Sequence, residues 1–392
     1  MLTLVMAWSK GCAALFFLGL GGVVACGTHG ASATTDSGSP RPDTGSPLMR
    51  VDAGHVDAGH VDASSIADSG TARGDAVHDA QAASDAASDA AQTGDVSVVI
   101  AAAGDISDPA IDDQKTTSNL VIAGHYDAVL TLGDNQYNDG TGTEFADYFA
   151  PTWGRFKANI FPALGNHEYS ANPPASGYFG YFFGKDAGPN NPRITDPGAS
   201  DTSKGYYSFD LGAWHIIALN TNTASTENAA CGVIPCSAGS AQEVWLKADL
   251  AAHTNVCTLA YWHQARFTAG CHTNDTDLGA LWDDLYAANA DVILNGHDHD
   301  YQRFVPMNTS GVADPQHGIV EFIVGTGGTT ISCGTSGTPP STLAKSESGT
   351  FGILRLTLHP TSYDYEFLAA GDAGVSSRDG GAFTDKGTGL CH

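Results

Sequence analysis

The chain has 392 residues and is strongly acidic, with 43 Asp and Glu, 17 Lys and Arg, and a formal net charge of −26. Nucleic-acid binding needs clustered Lys and Arg to neutralise phosphates, so this composition argues against a nucleic-acid partner. Hydrophobic residues make up 42% of the chain, which is enough for a packed core. Residues 1–96 contribute −7 to the charge and the remainder contributes −19.

Residues 1–26 have the pattern of an export signal. Lys10 is the only charge, and the apolar run over 13–25 is too short to span a bilayer comfortably as a helix. The run ends in Val-Val-Ala-Cys26, which resembles the lipobox of bacterial lipoproteins, in which the cysteine is diacylated. We expect an exported protein anchored through Cys26 to the outer membrane or cell surface, with the rest of the chain periplasmic or extracellular. An ordinary signal peptide cleaved nearby is the alternative.

Residues 27–96 contain no aromatic residue and are rich in Asp, Ala, Gly and Ser, with short repeats at 51–55 and 56–60. Such a segment buries too little apolar surface to offset its chain entropy, so we expect a disordered tether. It contains four histidines: His29, His55, His60 and His78. Nothing preorganises them, so a metal-binding role for them is the less favoured interpretation.

Residues 97–392 are predicted to form the catalytic domain. Five largely apolar runs typical of buried strands each lead into Asp, Asn or His, four of them through a single glycine. These are 98–103 before Gly104-Asp105, 128–132 before Gly133-Asp134, 160–164 before Gly165-Asn166-His167-Glu168, 257–262 before His263, and 291–295 before Gly296-His297-Asp298-His299. Since open α/β sheets place their sites at the carboxyl ends of strands, we expect these side chains to meet.

The donor types predict a metal centre. Carboxylates, an Asn carbonyl and imidazoles suit iron, zinc or manganese and suit soft ions poorly. These side chains offer more donor atoms than one ion needs. Two ions bridged by a carboxylate fit better, and such a pair is the known arrangement for binding phosphate during in-line displacement. A metal-bound hydroxide is then the expected nucleophile, and no Ser or Cys nucleophile is needed. Each motif alone could be ordinary turn chemistry, but five in order indicate a site.

The ordered motifs resemble the signature of the calcineurin-like metallophosphoesterase superfamily: Asp, Gly-Asp, Gly-Asn-His-Glu, a lone His, and Gly-His-x-His. The resemblance extends over residues 97–370. It implies an α/β fold of two facing mixed sheets flanked by helices, an αββα sandwich.

Two details favour the purple acid phosphatase branch of that superfamily. Most members have a His two residues after the first Asp, but here Ser107 stands there. Purple acid phosphatases instead use a Tyr three residues after the second Asp, which is Tyr137 here. The resemblance implies Fe(III) at one site and Zn, Mn or Fe(II) at the other. The first set is Asp105, Asp134, Tyr137 and His299, and the second is Asp134, Asn166, His263 and His297. A half-buried aromatic in a turn is the alternative for Tyr137.

Substrate handling is also implied by the resemblance. His167 and His272 are expected to be catalytic, through hydrogen bonds to phosphate or proton transfer to the leaving group. His272 is followed by Thr273, where the family often has a second His. Asn166 and Arg303 complete the expected phosphate contacts, with a structural ion pair as the alternative for Arg303. We expect two carboxylates next to the ligands, Glu168 and Asp298, to orient the ligating imidazoles. The histidines away from the motifs are expected to be structural; they are His125, His215 and His253.

The remaining scaffold has two features relevant to export and substrate choice. Six cysteines follow residue 97 and allow fifteen pairings, of which Cys231 with Cys236 is the local favourite; a cysteine metal site is the alternative. They are Cys231, Cys236, Cys257, Cys271, Cys333 and Cys391. Residues 170–205 are predicted to form a long irregular loop near the mouth of the site. Residues 206–219 are predicted to form a hairpin.

Three functions are consistent with these features. A phosphomonoesterase acting by attack of a metal-bound hydroxide is favoured. A phosphodiesterase or nucleotide hydrolase with the same centre differs only in pocket width. A lipoprotein that binds phosphate without turnover is the third. The expected partners are a small phosphorylated substrate and, through Cys26 alone, the membrane; the oligomeric state is left open.

We expect Cys26→Ser to move the protein from the membrane fraction to the soluble fraction, because stable anchoring needs two acyl chains. Cell fractionation of the full-length protein measures this. Cys12→Ser, which lies before the apolar run, is the matched control and should stay membrane-bound. A Cys26→Ser protein recovered with the membranes would contradict lipidation.

Overall fold

The structure is a computed structural model, and it describes residues 97–171, 173–184, 204–222, 231–232, 234–335, 337–370 and 383–392. The predicted export signal, Cys26 and the predicted tether with its four histidines lie outside the described residues.

The first sheet has six strands in the order β13-β12-β11-β1-β2-β3. Its strands are β1 (Val98–Ala103), β2 (Ala128–Leu132), β3 (Ile160–Ala163), β11 (Gly352–His359), β12 (Ser362–Ala369) and β13 (Lys386–Leu390). Strands β1, β2 and β3 are parallel, and β11 joins β1 in antiparallel register. All five residues of β2 are buried, as expected for an unbroken apolar run in a parallel sheet covered on both faces.

The second sheet has seven strands in the order β10-β8-β9-β7-β6-β5-β4. Its strands are β4 (Tyr207–Leu211), β5 (Trp214–Ala218), β6 (Cys257–Tyr261), β7 (Val292–Asn295), β8 (Tyr301–Phe304), β9 (Val320–Val324) and β10 (Leu343–Glu347). Strands β5, β6, β7 and β9 are parallel. Strands β4 and β5 form the predicted hairpin, with Gly212 at φ 62° in its turn.

In the part of the chain that the structure describes, four helices flank the sheets. They are α1 (Gln114–Gly124), α2 (Ser176–Phe183), α3 (Ala241–Ala252) and α4 (Gly279–Ala287). Shorter helical turns lie at Gly142–Glu144, Phe145–Phe149, Trp153–Asn159, His167–Ser170 and Thr276–Leu278. The start of α3 is capped by the Ser240 hydroxyl, which accepts a hydrogen bond from the Glu243 amide. None of the helices in the described ranges is both long and apolar enough to cross a membrane.

The core has two layers, separated by the second sheet. Ile216 and Leu259 lie between the sheets, in one buried cluster with Ile100 of β1. Their neighbours Ile217 and Ala260 belong instead to the cluster on the other face, with the side chains of α3 and α4. Because successive residues of a strand point to opposite faces, the parallel strands β5 and β6 have apolar residues on both faces. The predicted fold of two facing mixed sheets with flanking helices is confirmed.

Part of the predicted loop at 170–205 is wrong, because Ser176–Phe183 is the helix α2. This segment has two glycines and five aromatic residues, and it therefore shows no amphipathic pattern that would predict a helix. The helix is stabilised by packing, since Tyr178 and Phe182 are fully buried and the Phe182 ring contacts Phe145 at 5.7 Å. Residues 185–203 lie outside the described part of the chain.

Three disulfides pair all six cysteines that follow residue 97. They are Cys231–Cys236, Cys257–Cys391 and Cys271–Cys333. The first is the predicted local pair, and the alternative of a cysteine metal site is wrong because no free thiolate remains among these residues. The second joins the last strand region of the chain to β6 of the other sheet.

We expect loss of Cys257–Cys391 to destabilise the protein much more than loss of Cys231–Cys236. The two bonds close loops with sequence separations of 134 and 5 residues. Loop-closure entropy predicts losses of about 5 and about 2 kcal/mol for the respective Cys→Ala pairs. Denaturant unfolding of the two double variants measures the difference. Equal losses would contradict the entropic account.

Candidate active site

The site forms where the carboxyl ends of β1, β2 and β3 face those of β6 and β7. Three of its residues adopt left-handed backbone angles that non-glycine residues rarely occupy. They are Asp105 at φ 60°, Asp134 at φ 44° and His297 at φ 70°. Each directly follows a glycine at a strand end, so the strained turn redirects the polar side chain into the gap between the sheets.

Glycines allow the loops of the site to approach one another. A Cβ on Gly165 would overlap the Asp134 backbone and carboxylate. A Cβ on Gly296 would lie 2.6 Å from Asp105 Oδ2, and one on Gly133 would lie 2.6 Å from His263 Nδ1. These glycines of the Gly-Asp, Gly-Asn and Gly-His motifs are therefore needed, because a side chain at any of their positions would overlap a predicted metal ligand.

The Tyr137 hydroxyl is the centre of one group of donors. Its Oη lies 2.9 Å from Asp105 Oδ1, 3.0 Å from Asp134 Oδ2 and 3.1 Å from His299 Nε2. Tyr137 is 4% exposed, so the sequence-based alternative of a simple turn aromatic does not account for its buried hydroxyl. The structure thus brings together all four residues expected for the Fe(III) site.

His263 Nε2 is the centre of the second group. It lies 3.1 Å from Asn166 Oδ1, 3.3 Å from Asp134 Oδ2 and 3.3 Å from His297 Nδ1. Asp134 Oδ2 is therefore shared with the Tyr137 group, as a bridging carboxylate requires. All seven predicted ligand residues lie in one continuous cluster of contacts.

Backbone groups orient the imidazoles, and sequence analysis missed them because carbonyls carry no residue signature. His263 Nδ1 lies 2.9 Å from the Leu132 carbonyl, and His299 Nδ1 lies 2.9 Å from the Thr330 carbonyl. These contacts direct each Nε2 toward the cluster. The amide of His297 donates to Asp105 Oδ2 at 2.9 Å, which also fixes that carboxylate.

Burial and charge leave the cluster suited to cations. Burial raises the pKa of Tyr137 well above its usual value, and the charges of Asp105 and Asp134 raise it further. Burial opposes ionisation of Asp134, but the charges of His263 and His167 outweigh it and lower its pKa. Burial, with the charges of His263 and His272, lowers the pKa of His297 to about 3, so its imidazole is neutral and offers a lone pair.

The seven side chains fit two metal ions by donor type as well as by placement. They supply carboxylate, phenolic and amide oxygens and imidazole nitrogens, without sulfur, which is a set for iron, zinc or manganese. Only a strong positive charge would offset the desolvation of two carboxylates and a tyrosinate in one buried cluster.

The two predicted catalytic histidines lie at the partly exposed side of the cluster. The His167 side chain is 31% exposed, and its ring lies against Tyr137 with centroids 4.3 Å apart. The His272 side chain is 24% exposed, and its ring stacks on His297 with centroids 3.9 Å apart. Each is therefore adjacent to a predicted ligand and accessible to a substrate.

The carboxylates expected to orient ligating imidazoles have other partners. Glu168 accepts hydrogen bonds from the amides of Gly165 at 2.7 Å and Gln136 at 3.0 Å, so it fixes the loops that carry Asn166 and Tyr137. Asp298 Oδ1 lies 2.8 Å from His272 Nδ1, so it orients the predicted catalytic imidazole and not a metal ligand. The expectation that Glu168 and Asp298 orient the metal-ligating imidazoles was therefore wrong.

The contacts of Arg303 support the alternative of a structural ion pair. Its guanidinium donates two hydrogen bonds to Asp385, at 2.8 and 3.0 Å, and stacks over the Tyr365 ring at 4.8 Å. These contacts join β8 to the segment before β13. The expected phosphate contact is therefore not supported, because the Arg303 guanidinium is already hydrogen-bonded to the Asp385 carboxylate.

This fold, with oxygen and nitrogen donors converging between its two sheets, is that of a metal-dependent phosphoesterase. A match of residues 89–301 to the calcineurin-like phosphoesterase model assigns the family, and the chain belongs to it.

The chain is also similar to individual proteins. The chain is 28% identical over 191 residues to an uncharacterised protein of Mycobacterium tuberculosis, covering 43% of this chain and 35% of that protein. It is 28% identical over 234 residues to purple acid phosphatase 15 of Arabidopsis thaliana, covering 52% of this chain and 40% of the relative. The chain thus spans less than half the length of either relative. A purple acid phosphatase from yellow lupin seeds (Lupinus luteus) has a similar fold, with a TM-score of 0.53 and 17% identity over 75% of this chain and 54% of that one.

We expect Gly165→Ala to lose bound metal and about 1–3 kcal/mol of stability, because the new Cβ overlaps Asp134. Metal analysis and denaturant unfolding measure the two effects. Gly180→Ala is the matched control, since its Cβ meets nothing within 4 Å on α2 and should leave both values unchanged or slightly raise stability. A Gly165→Ala protein that retains its full metal content would argue against the close packing described.

Proposed function

We propose that the protein is a binuclear-metal phosphomonoesterase of the purple acid phosphatase type. The observation that carries this proposal is the buried Tyr137 hydroxyl, which lies within 3.1 Å of Asp105, Asp134 and His299. A tyrosine in this position would replace the ligand that most family members take from a His two residues after the first Asp, where this chain has Ser107. The similarity to purple acid phosphatase 15 supports the same branch.

The proposed ligand sets share Asp134. Asp105, Asp134, Tyr137 and His299 would hold Fe(III), and Asp134, Asn166, His263 and His297 would hold Zn, Mn or Fe(II). Two such cations, when bound, would neutralise the phosphate oxygens and make water a nucleophile at ordinary pH. Tyr137 would bind as tyrosinate and give a visible charge-transfer band.

The protein's own contribution is to orient the substrate and move protons. Asp298 holds His272 by Nδ1, so Nε2 is the nitrogen available to donate to the leaving-group oxygen. His167 is held by its amide, which donates to Asp134 Oδ1 at 2.9 Å, and its ring lies at the open side. Asn166 has its Oδ1 at His263, which leaves its amide nitrogen for a phosphate oxygen.

A phosphodiesterase or nucleotide hydrolase is a second candidate. A groove of about 920 Å³ begins beside the site at Thr330, whose carbonyl orients His299, and extends past Cys333 to Phe351. We infer that a second substituent on phosphorus would extend from the metal centre toward this groove. The ratio of turnover on a phosphomonoester and on its bis-ester separates the two functions.

Export and lipid anchoring are part of the proposal. Three disulfides are typical of proteins that fold in an oxidising compartment. Diacylation of Cys26 would hold the catalytic domain at the outer membrane or cell surface through the segment 27–96. The membrane would be contacted through that anchor alone.

We expect Tyr137→Phe to abolish the visible band and to lower iron content, because the phenolate oxygen is removed while the ring remains. Absorption spectroscopy with metal analysis of the purified protein measures both. Tyr148→Phe is the control, since Tyr148 is 37% exposed and should leave the spectrum unchanged. A Tyr137→Phe protein with the original spectrum and iron content would rule out the ligand assignment.

We expect Asp134→Asn to lower phosphomonoester hydrolysis by at least about a thousandfold, because several kcal/mol of transition-state stabilisation depend on the bridged cations. Asp112→Asn is the control, since the Asp112 side chain is 79% exposed. Steady-state kinetics of both variants measure the effect. A native protein that holds two metals yet hydrolyses neither ester would instead favour a phosphate-binding lipoprotein without turnover.

A further inference from the structure

A second group of metal-binding side chains lies at the other end of the parallel strands. Asp210 on β4 pairs directly with His215 near the start of β5, and His253 is the residue that ends α3. The catalytic donors follow the carboxyl ends of the strands, whereas His215 is the second residue of β5. This group is therefore separate from the active site.

Asp249 orients both imidazoles of the group. Its buried carboxylate Oδ2 lies 2.9 Å from His215 Nε2, and its backbone carbonyl lies 2.9 Å from His253 Nδ1. The Ser208 hydroxyl donates to Asp249 Oδ1 at 2.7 Å, which holds the carboxylate in place. The two imidazole rings stack with centroids 4.0 Å apart and planes 13° apart.

This arrangement leaves the outward nitrogens for a cation. His215 Nδ1 lies 2.8 Å from Asp210 Oδ1. Burial lowers the pKa of His215, but the hydrogen bonds to Asp249 and Asp210 outweigh it and raise the pKa, so a bound cation would displace the proton shared by His215 and Asp210. His253 Nε2 has no hydrogen-bond partner among the residues that the structure describes. A carboxylate or backbone carbonyl behind each metal-binding histidine is the usual arrangement around zinc.

The distances allow a single ion to be held with small side-chain movements. The ligand atoms of Asp210, His215 and His253 lie within 4.8 Å of one another. Tetrahedral zinc, with bonds of roughly 2.0–2.2 Å, separates its ligands by about 3.3 Å. The side chains of Asp210 and His253 are 50% and 20% exposed and can rotate inward, while His215 is 1% exposed and fixed.

We propose that Asp210, His215 and His253 form an additional binding site for a zinc-class divalent cation, with water as the fourth ligand. The bound ion ties the β4–β5 hairpin to the end of α3. It stabilises the second sheet and takes no part in the reaction, so the inference does not depend on the proposed phosphatase activity.

The test compares the purified native protein, carrying its own catalytic metals, with His253→Gln and Asp210→Asn. Each sample is equilibrated with ZnCl2, gel-filtered and analysed for metal, and its thermal midpoint is recorded with and without zinc. We expect both variants to bind one zinc fewer per chain. The native protein should show a zinc-dependent rise of roughly 5 °C that the variants lack, at a hundredfold excess over Kd.

The matched control is His359→Gln, since His359 also pairs with a carboxylate, at 3.1 Å from Asp364, but outside such a group. It should bind zinc as the native protein does, and phosphoesterase activity should be unchanged in all three variants. Equal zinc content and equal midpoints in the native protein and either site variant would overturn the proposal. Loss of one zinc equivalent in His359→Gln as well would also overturn it, since zinc would then bind histidines at random.

Discussion

The architecture depends on keeping Asp105 and Asp134 buried beside each other. Both carboxylates are almost inaccessible to solvent, and both contact the Tyr137 hydroxyl, at 2.9 and 3.0 Å. Desolvation and mutual repulsion oppose this arrangement strongly unless positive charge is supplied. The two sheets supply the rigid frame that resists the repulsion, and the facing imidazoles bring the lone pairs that cations need. The strained turns and close glycines follow from the same requirement.

Much of the frame could be predicted from the sequence, because parallel strands buried on both faces have an unmistakable pattern. The run 98–103 is wholly apolar, the run 128–132 is apolar except for Thr131, and both are followed by Gly-Asp. The sequence therefore indicates the strand, its end and the carboxylate at that end together. The convergence of donors from both sheets then follows from sheet geometry. The strands β8, β10 and β13 were not predicted. Tyr301–Phe304 is short and has no apolar run, and Leu343–Glu347 and Lys386–Leu390 are edge strands without a buried residue.

The rest depended on tertiary contacts that a sequence does not display. The partners of His263 and His299 are backbone carbonyls, which every residue has. Arg303 is adjacent to the ligand motif in sequence, but the alternation of β8 directs its side chain to Asp385. The pairing of Cys271 with Cys333 joins loops that are distant in sequence and is set by the fold alone.

The order of strands in the first sheet also has a consequence for how the chain reaches its final state. Strand β1, from the start of the domain, pairs with β2 on one side and with β11 on the other, and β12 and β13 extend that sheet. Half of the strands of this sheet therefore come from residues after 351, and the bond from Cys257 to Cys391 joins positions 134 residues apart. Pairing between such distant segments slows folding, because the long intervening chain must be closed before the contacts of β1 with β11 can form.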